Sequence, residues 1–161
     1  MSAPGISFVD LLAYTEGETE HWKEFFRQHP AALEVPTDVR GTKNVRELVA
    51  HIFQAEQIFG CAVSGQPRPD FAKVPMNTLD EIFAVGEDAR RRLRDFLATA
   101  NEETMAEQQP FGPAGNVSRR KMLAQALTHG MRHWAQLATD LRRAGYPTDW
   151  VHDLLMSVAL K

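Results

Sequence analysis

THGMRHWAQLATDLRRAGYP, residues 128–147, decides how this chain is read. Its apolar residues fall at helical spacing: with Leu123 ahead of the stretch, Trp134, Leu137 and Leu141 form one arc. His129 and His133 lie at an edge of that arc, and Gln136 and Asp140 continue their stripe. Residues four apart on a helix differ by about 40° in angle and roughly 6 Å along the axis, so the two rings share one face. Gly145 followed by Pro147 stops the helix, and Ser118 is placed to open it.

Working outward, three more helices carry clear start and stop signals. Ser7 with Asp10 opens a helix to about Gln28, ended by His29-Pro30 because the residue before proline avoids helical angles. Asn44 with Glu47 opens a second to about Ser64, where Gly65 stops it, and Thr78 with Glu81 opens a third to about Ala100. A short fifth segment, Asp149 to Leu160, follows the fourth helix. β-branched residues are sparse and never alternate for long, so the class is all-α. The Pro- and Gly-rich connection 65–77 is long enough to run from one end of a bundle to the other, and QQPFGPAGNVS (residues 108–118) reads as a turn with extended flanks.

At 161 residues the chain fits one domain, 1–161, with one sizeable core. Hydrophobic residues at 43% and charged residues at 24% are an ordinary globular balance, and a net charge of −3 gives no basic footprint for nucleic acid. The single cysteine, Cys61, forms no intrachain disulfide and reads as a small core residue. The first residues lack the basic-then-apolar order of a secretory signal, and no window nears the roughly 18 apolar residues of a membrane span. A cytoplasmic protein with no membrane partner is the expectation.

The second helix carries a third histidine on its inner side. Leu48, Ile52, Ala55 and Phe59 form a stripe, and His51 lies one turn after Leu48 within the arc that Ile58 and Ala62 extend. Imidazoles facing a core are costly unless something satisfies them. Two histidines at i and i+4 can grip a metal from one helix face, and a third from another helix makes a three-ligand site for zinc, nickel, copper or iron. Three protein ligands leave a position open, as catalytic sites do. The glutamate of the HExxH proteases is absent, because Gly130 follows His129.

The stretch 128–147, the segment NVRELVAHIFQAEQIFGCAVSG (44–65) and the closing YPTDWVHDLL (146–155) together resemble the DinB family, including its YfiT-like members. The resemblance covers nearly the whole chain. It implies a four-helix bundle of up-down-down-up topology with a short C-terminal helix, and metal ligands at His51, His129 and His133. It also implies an enzymatic metal site and homodimers paired through the first and last bundle helices. Trp134-Ala135 stands where many members have Arg-Gly, which changes the rim of the site. The cofactors expected are one divalent ion (zinc, nickel or iron) and a low-molecular-weight thiol such as glutathione, mycothiol or bacillithiol. The reaction would be thiol-dependent S-transfer or isomerisation of a small-molecule substrate; the alternatives are metal-dependent hydrolysis and a non-catalytic, metal-stabilised interaction or stress protein.

The remaining polar residues have plainer readings. His21, His29 and His152 read as surface groups, and Glu56 as a solvated or paired helix carboxylate. Arg90, Arg91, Arg92 and Arg94 read as a solvated face. Gln136 is placed to orient a ligand histidine, and Asp140 to pair with nearby arginines. Trp22, Phe25 and Phe26 pack the bundle, but with Tyr14 they lie on more than one side of the first helix, which favours a dimer.

Overall fold

Ser7 accepts a hydrogen bond from the Asp10 amide at 3.2 Å while the Asp10 carboxylate accepts one from the Ser7 amide at 2.8 Å. This reciprocal cap starts α1, Phe8–Gln28. The Asn44 side chain caps α2, Val45–Val63, and Thr78 with Glu81 forms a second reciprocal cap at α3, Leu79–Thr99. Ser118 caps α5, Arg119–Arg143. At the end of α5, Gly145 takes φ +87°, a conformation that only glycine adopts without strain, and Tyr146 then donates back to the Leu141 carbonyl at 2.9 Å. These features belong to a computed structural model, which describes residues 5–157 and 159.

Contacts between the four long helices fix their directions. Glu16, Lys23 and Arg27 of α1 pair with Arg94, Glu87 and Asp80 of α3, so these two run antiparallel. Phe53 of α2 meets Phe83 of α3, and further along Gly60 lies against Ala89, so α2 and α3 run parallel. On α5, Trp134 meets Phe53 whereas the earlier Gly130 meets the later Glu56, so α2 and α5 are antiparallel. Leu12 clusters with Leu127 and Trp22 stacks on Trp134, which makes α1 and α5 parallel. The topology is up-down-down-up. The parallel pair requires the connection 64–78 to return along the bundle, as its length suggests.

The interior has two apolar halves. One gathers Trp22, Phe26, Phe53, Phe83 and Trp134; the other Leu12, Leu93, Leu123 and Leu127. Between them lies a polar layer in which Glu56 and Arg90 form a two-bonded ion pair at 3.0 and 3.1 Å, both buried. Arg90 also rests over the Phe53 ring, 5.2 Å from its centroid. The reading of Arg90 as part of a solvated face is corrected here. Its position, four residues after Gly86 and three before Leu93, is on the inner stripe of α3. Glu56 is a paired carboxylate, but a buried one. Gly86 makes room for the Phe53 ring between the two parallel helices: a Cβ there would stand 2.4 Å from that ring.

The connection from α3 to α5 carries one element that the residue pattern does not predict. After α3 the chain forms a further helical turn, α4, Glu102–Ala106, capped by Asn101. A small antiparallel hairpin follows, β1 Gln108–Pro110 with β2 Asn116–Ser118, in the register Gln109↔Val117. Its turn and extended flanks are those expected of residues 108–118. Val117 is buried against the second apolar half, and Gln109 donates to the Ala62 carbonyl at 2.9 Å, which ties the hairpin to the end of α2.

The tail is extended, with only a single 3-10 turn at Leu154–Met156, so the short C-terminal helix expected over 149–160 is not formed in its described part. Residues 158 and 160 of that span lie outside the described residues. Trp150, His152 and Leu154 are half-buried while Asp149, Val151 and Asp153 are exposed, and that period of two favours extended chain over helix. The tail runs back along α1. His152 Nδ1 lies 2.7 Å from the Glu18 carboxylate, its ring stacks on Trp22, and its carbonyl accepts a hydrogen bond from Tyr14. His152 is therefore not a surface group, whereas His21 and His29 are exposed.

Trp22, Phe25 and Phe26 are buried within the chain and Tyr14 is engaged by the tail, which removes the reason they gave for a dimer. Among the described residues, the large apolar side chains left exposed are Ile6, Val9, Val151, Leu155 and Met156. No helix among the described residues is long and apolar enough to cross a membrane.

Candidate metal centre

α2 presents His51 from its second turn, and α5 presents His129 and His133 from its middle. The antiparallel packing of α2 on α5 brings the three rings together. Ring centroids are 5.0 Å apart for His51–His129, 5.1 Å for His51–His133 and 4.4 Å for His129–His133. One nitrogen from each ring lies within 4.8 Å of the others, and among the described residues no further histidine, cysteine or carboxylate joins the group.

Hydrogen bonding sets the tautomers. His133 Nδ1 is 2.6 Å from Gln136 Oε1, which accepts, so Nδ1 carries the proton and Nε2 presents a lone pair. That lone pair faces His129 Nε2 at 3.1 Å. Either His129 donates its own Nε2 proton there or a cation lies between the two nitrogens. In the first case His129 Nδ1 is a bare acceptor, and it is buried with no hydrogen-bond partner. Two nitrogens bound tetrahedrally to one zinc at about 2.0–2.1 Å stand about 3.3 Å apart, close to the separation found. The donor set therefore fits a divalent transition ion, and Gln136 supports His133 as outer partners of ligand histidines do.

The electrostatics keep the rings neutral. Burial lowers the pKa of His129 to about 4, reinforced by His133, His51 and Arg132. His51 is lowered by burial and then by Arg132. His133 is lowered by burial, with Gln136 opposing and His51 and Arg132 adding to the fall. Neutral imidazole is the form that binds a metal.

An unfolded histidine protonates near 6.5 and folded His129 near 4, so between those values the unfolded chain binds more protons. Metal-free protein is expected to lose stability as pH falls from about 6.5 towards 4, with no contribution from this ring above that window. Thermal unfolding across the window checks this: His129→Gln should flatten the dependence, and an unchanged slope would rule the ring out as its source.

Gly130 follows His129 in the turn between the two α5 histidines. A Cβ there would stand 3.0 Å from Glu56 Oε1, so glycine lets the buried carboxylate approach the helix. Burial raises the Glu56 pKa and Arg90 opposes the rise. Asp140 bonds to no ligand histidine; it lines a cleft beside Gln136 together with Arg143. The sequence reading missed the Glu18–His152 pair and the burial of Arg90. The first signal was the alternation in the tail, and the second the position of Arg90 on the α3 stripe.

Comparison with known proteins adds the following. No curated protein sequence matches the chain. Among solved structures, a DinB-like protein, YjoA, from Bacillus subtilis is similar to it, with a TM-score of 0.63 at 16% identity over 91% of this chain and 96% of that one. That likeness is one of fold. The sequence profile of the DinB family matches residues 1–157, all but the last four positions. The chain belongs to the DinB family.

Proposed function

We propose that the protein is a divalent-metal-dependent enzyme whose ion is held by His51, His129 and His133, and that its reaction is thiol-dependent transfer or isomerisation. The observation that carries the proposal is the convergence of three neutral imidazoles with no fourth protein donor among the described residues. A closed, structural site would show that fourth donor. A divalent ion there supplies Lewis acidity, lowering the pKa of a thiol or water that reaches it.

The chain's own residues do the rest. Gln136 fixes His133 with Nε2 turned inward. Gly130 leaves room for the buried Glu56 carboxylate beside α5, and Arg90 holds that carboxylate in a two-bonded pair. Glu56 is thereby engaged rather than offered as a base. An ion lowers the pKa of bound water and of bound thiol alike, but a free thiol ionises at about 8.5 and water at about 15.7, so thiolate forms with less help from a base. This ordering puts thiol chemistry ahead of hydrolysis.

Cobalt-substituted protein tests the reading. Glutathione, mycothiol or bacillithiol should produce a thiolate-to-cobalt charge-transfer band in the near ultraviolet. If none of the three alters the spectrum of fully loaded protein, the thiol reading falls and hydrolysis or a non-catalytic metal remains.

A further inference from the structure

Arg132 is a fixed cation set one residue before His133, beside three imidazoles that fit a dication. Like charges repel; Arg132 is exposed and solvent screens part of that repulsion, and an anion beside it would remove more. No carboxylate of the chain does so: among the described residues Arg132 forms no ion pair. It lines instead a cleft of about 480 Å3 that also contains Gln136, Asp140, Asp38 and Arg143. Gln136 joins the cleft to the site, since the same side chain bonds His133.

The charges are ordered along the cleft. Arg132 lies at the end next to the rings. Asp140 is eight residues further along α5, roughly 12 Å down the helix axis, and Asp38 joins it from the α1–α2 connection. Neither acid forms an ion pair within 4.0 Å among the described residues, although both share the cleft with arginines. Arg143 has a separate role, since it stands in the last turn of α5 where a cation complements the helix dipole.

We propose that this cleft holds the part of the substrate that does not reach the ion, and that the substrate is a small zwitterion. Its carboxylate pairs with Arg132 beside His133, and its ammonium lies towards Asp140 and Asp38. The inference rests on the metal-enzyme reading for its place beside the ion, but the cleft is testable without it.

Three probes of equal length separate the charges: ε-aminocaproate carries both, caproate only the anion, hexylamine only the cation. None is a thiol, and the first has its charges too far apart to chelate. Each is titrated into zinc-treated protein and followed by proton–nitrogen correlation spectra, with zinc content measured on the same sample. ε-Aminocaproate should shift the amides of Arg132, Gln136 and Asp140 and bind about fivefold tighter than either singly charged probe, the upper end for one exposed charge pair. Arg132→Gln should reduce it to the level of hexylamine, and Asp140→Asn should bring it towards caproate. Equal binding of all three probes, an unchanged preference in Arg132→Gln, or no shift at tens of millimolar overturns the proposal. Zinc retained alongside such a result leaves the metal reading standing; the charge preference without retained zinc supports the cleft and removes the metal.

Discussion

Arg90→Met is expected to destabilise the protein by about 3–5 kcal/mol, because it leaves the Glu56 carboxylate buried without a partner. The pair itself need not be strongly stabilising. Burial raises the Glu56 pKa despite the guanidinium, so the desolvation cost outweighs what Arg90 returns. The double variant Glu56→Gln with Arg90→Met removes both charges and should recover much of the loss. Urea unfolding of wild type, the two single variants and the double variant completes the cycle. A loss below about 1 kcal/mol in Arg90→Met, as for an exposed pair, would contradict the burial.

His133→Ala should have the second large effect, on metal affinity rather than on fold. The substitution removes one of three ligands together with the partner of Gln136. Gln136→Ala alone should weaken the ion by about 10–100-fold, the range for outer partners of ligand histidines, and His133→Ala should exceed that. Competition with a chromophoric zinc chelator gives both affinities, and far-ultraviolet circular dichroism shows whether the helices persist. Wild-type affinity in His133→Ala would remove that ring from the site.

Much of this was legible from residue types and spacing. The four long helices follow from side-chain caps at Ser7, Asn44, Thr78 and Ser118, which announce themselves because few residue types can satisfy the free amides of a first turn. His51, His129 and His133 could be placed on inward arcs because the helical period is fixed. Helix direction was less legible. Periodicity says which face is buried and nothing about the neighbour it meets, and up-down-down-up came from family resemblance rather than from the spacing. Arg90 was misread because a run of four arginines suggests water, while the wheel position of one of them pointed inward. The tail was misread as helix although Trp150, His152 and Leu154 alternate, a period-two signal over too few residues to stand out from the aromatic content. The spacing of Gln136 three residues after His133 suits it to support that ring, and the structure places its amide oxygen 2.6 Å from His133 Nδ1.

We propose that three histidines from two antiparallel helices form one metal site. Crystals of protein refilled with zinc, measured on both sides of the zinc absorption edge, test it most directly. One anomalous peak per chain is expected, within about 2.0–2.1 Å of a ring nitrogen from each of His51, His129 and His133, with no fourth protein ligand. A fully refilled crystal with no peak there, or with its zinc bound elsewhere on the chain, would contradict it.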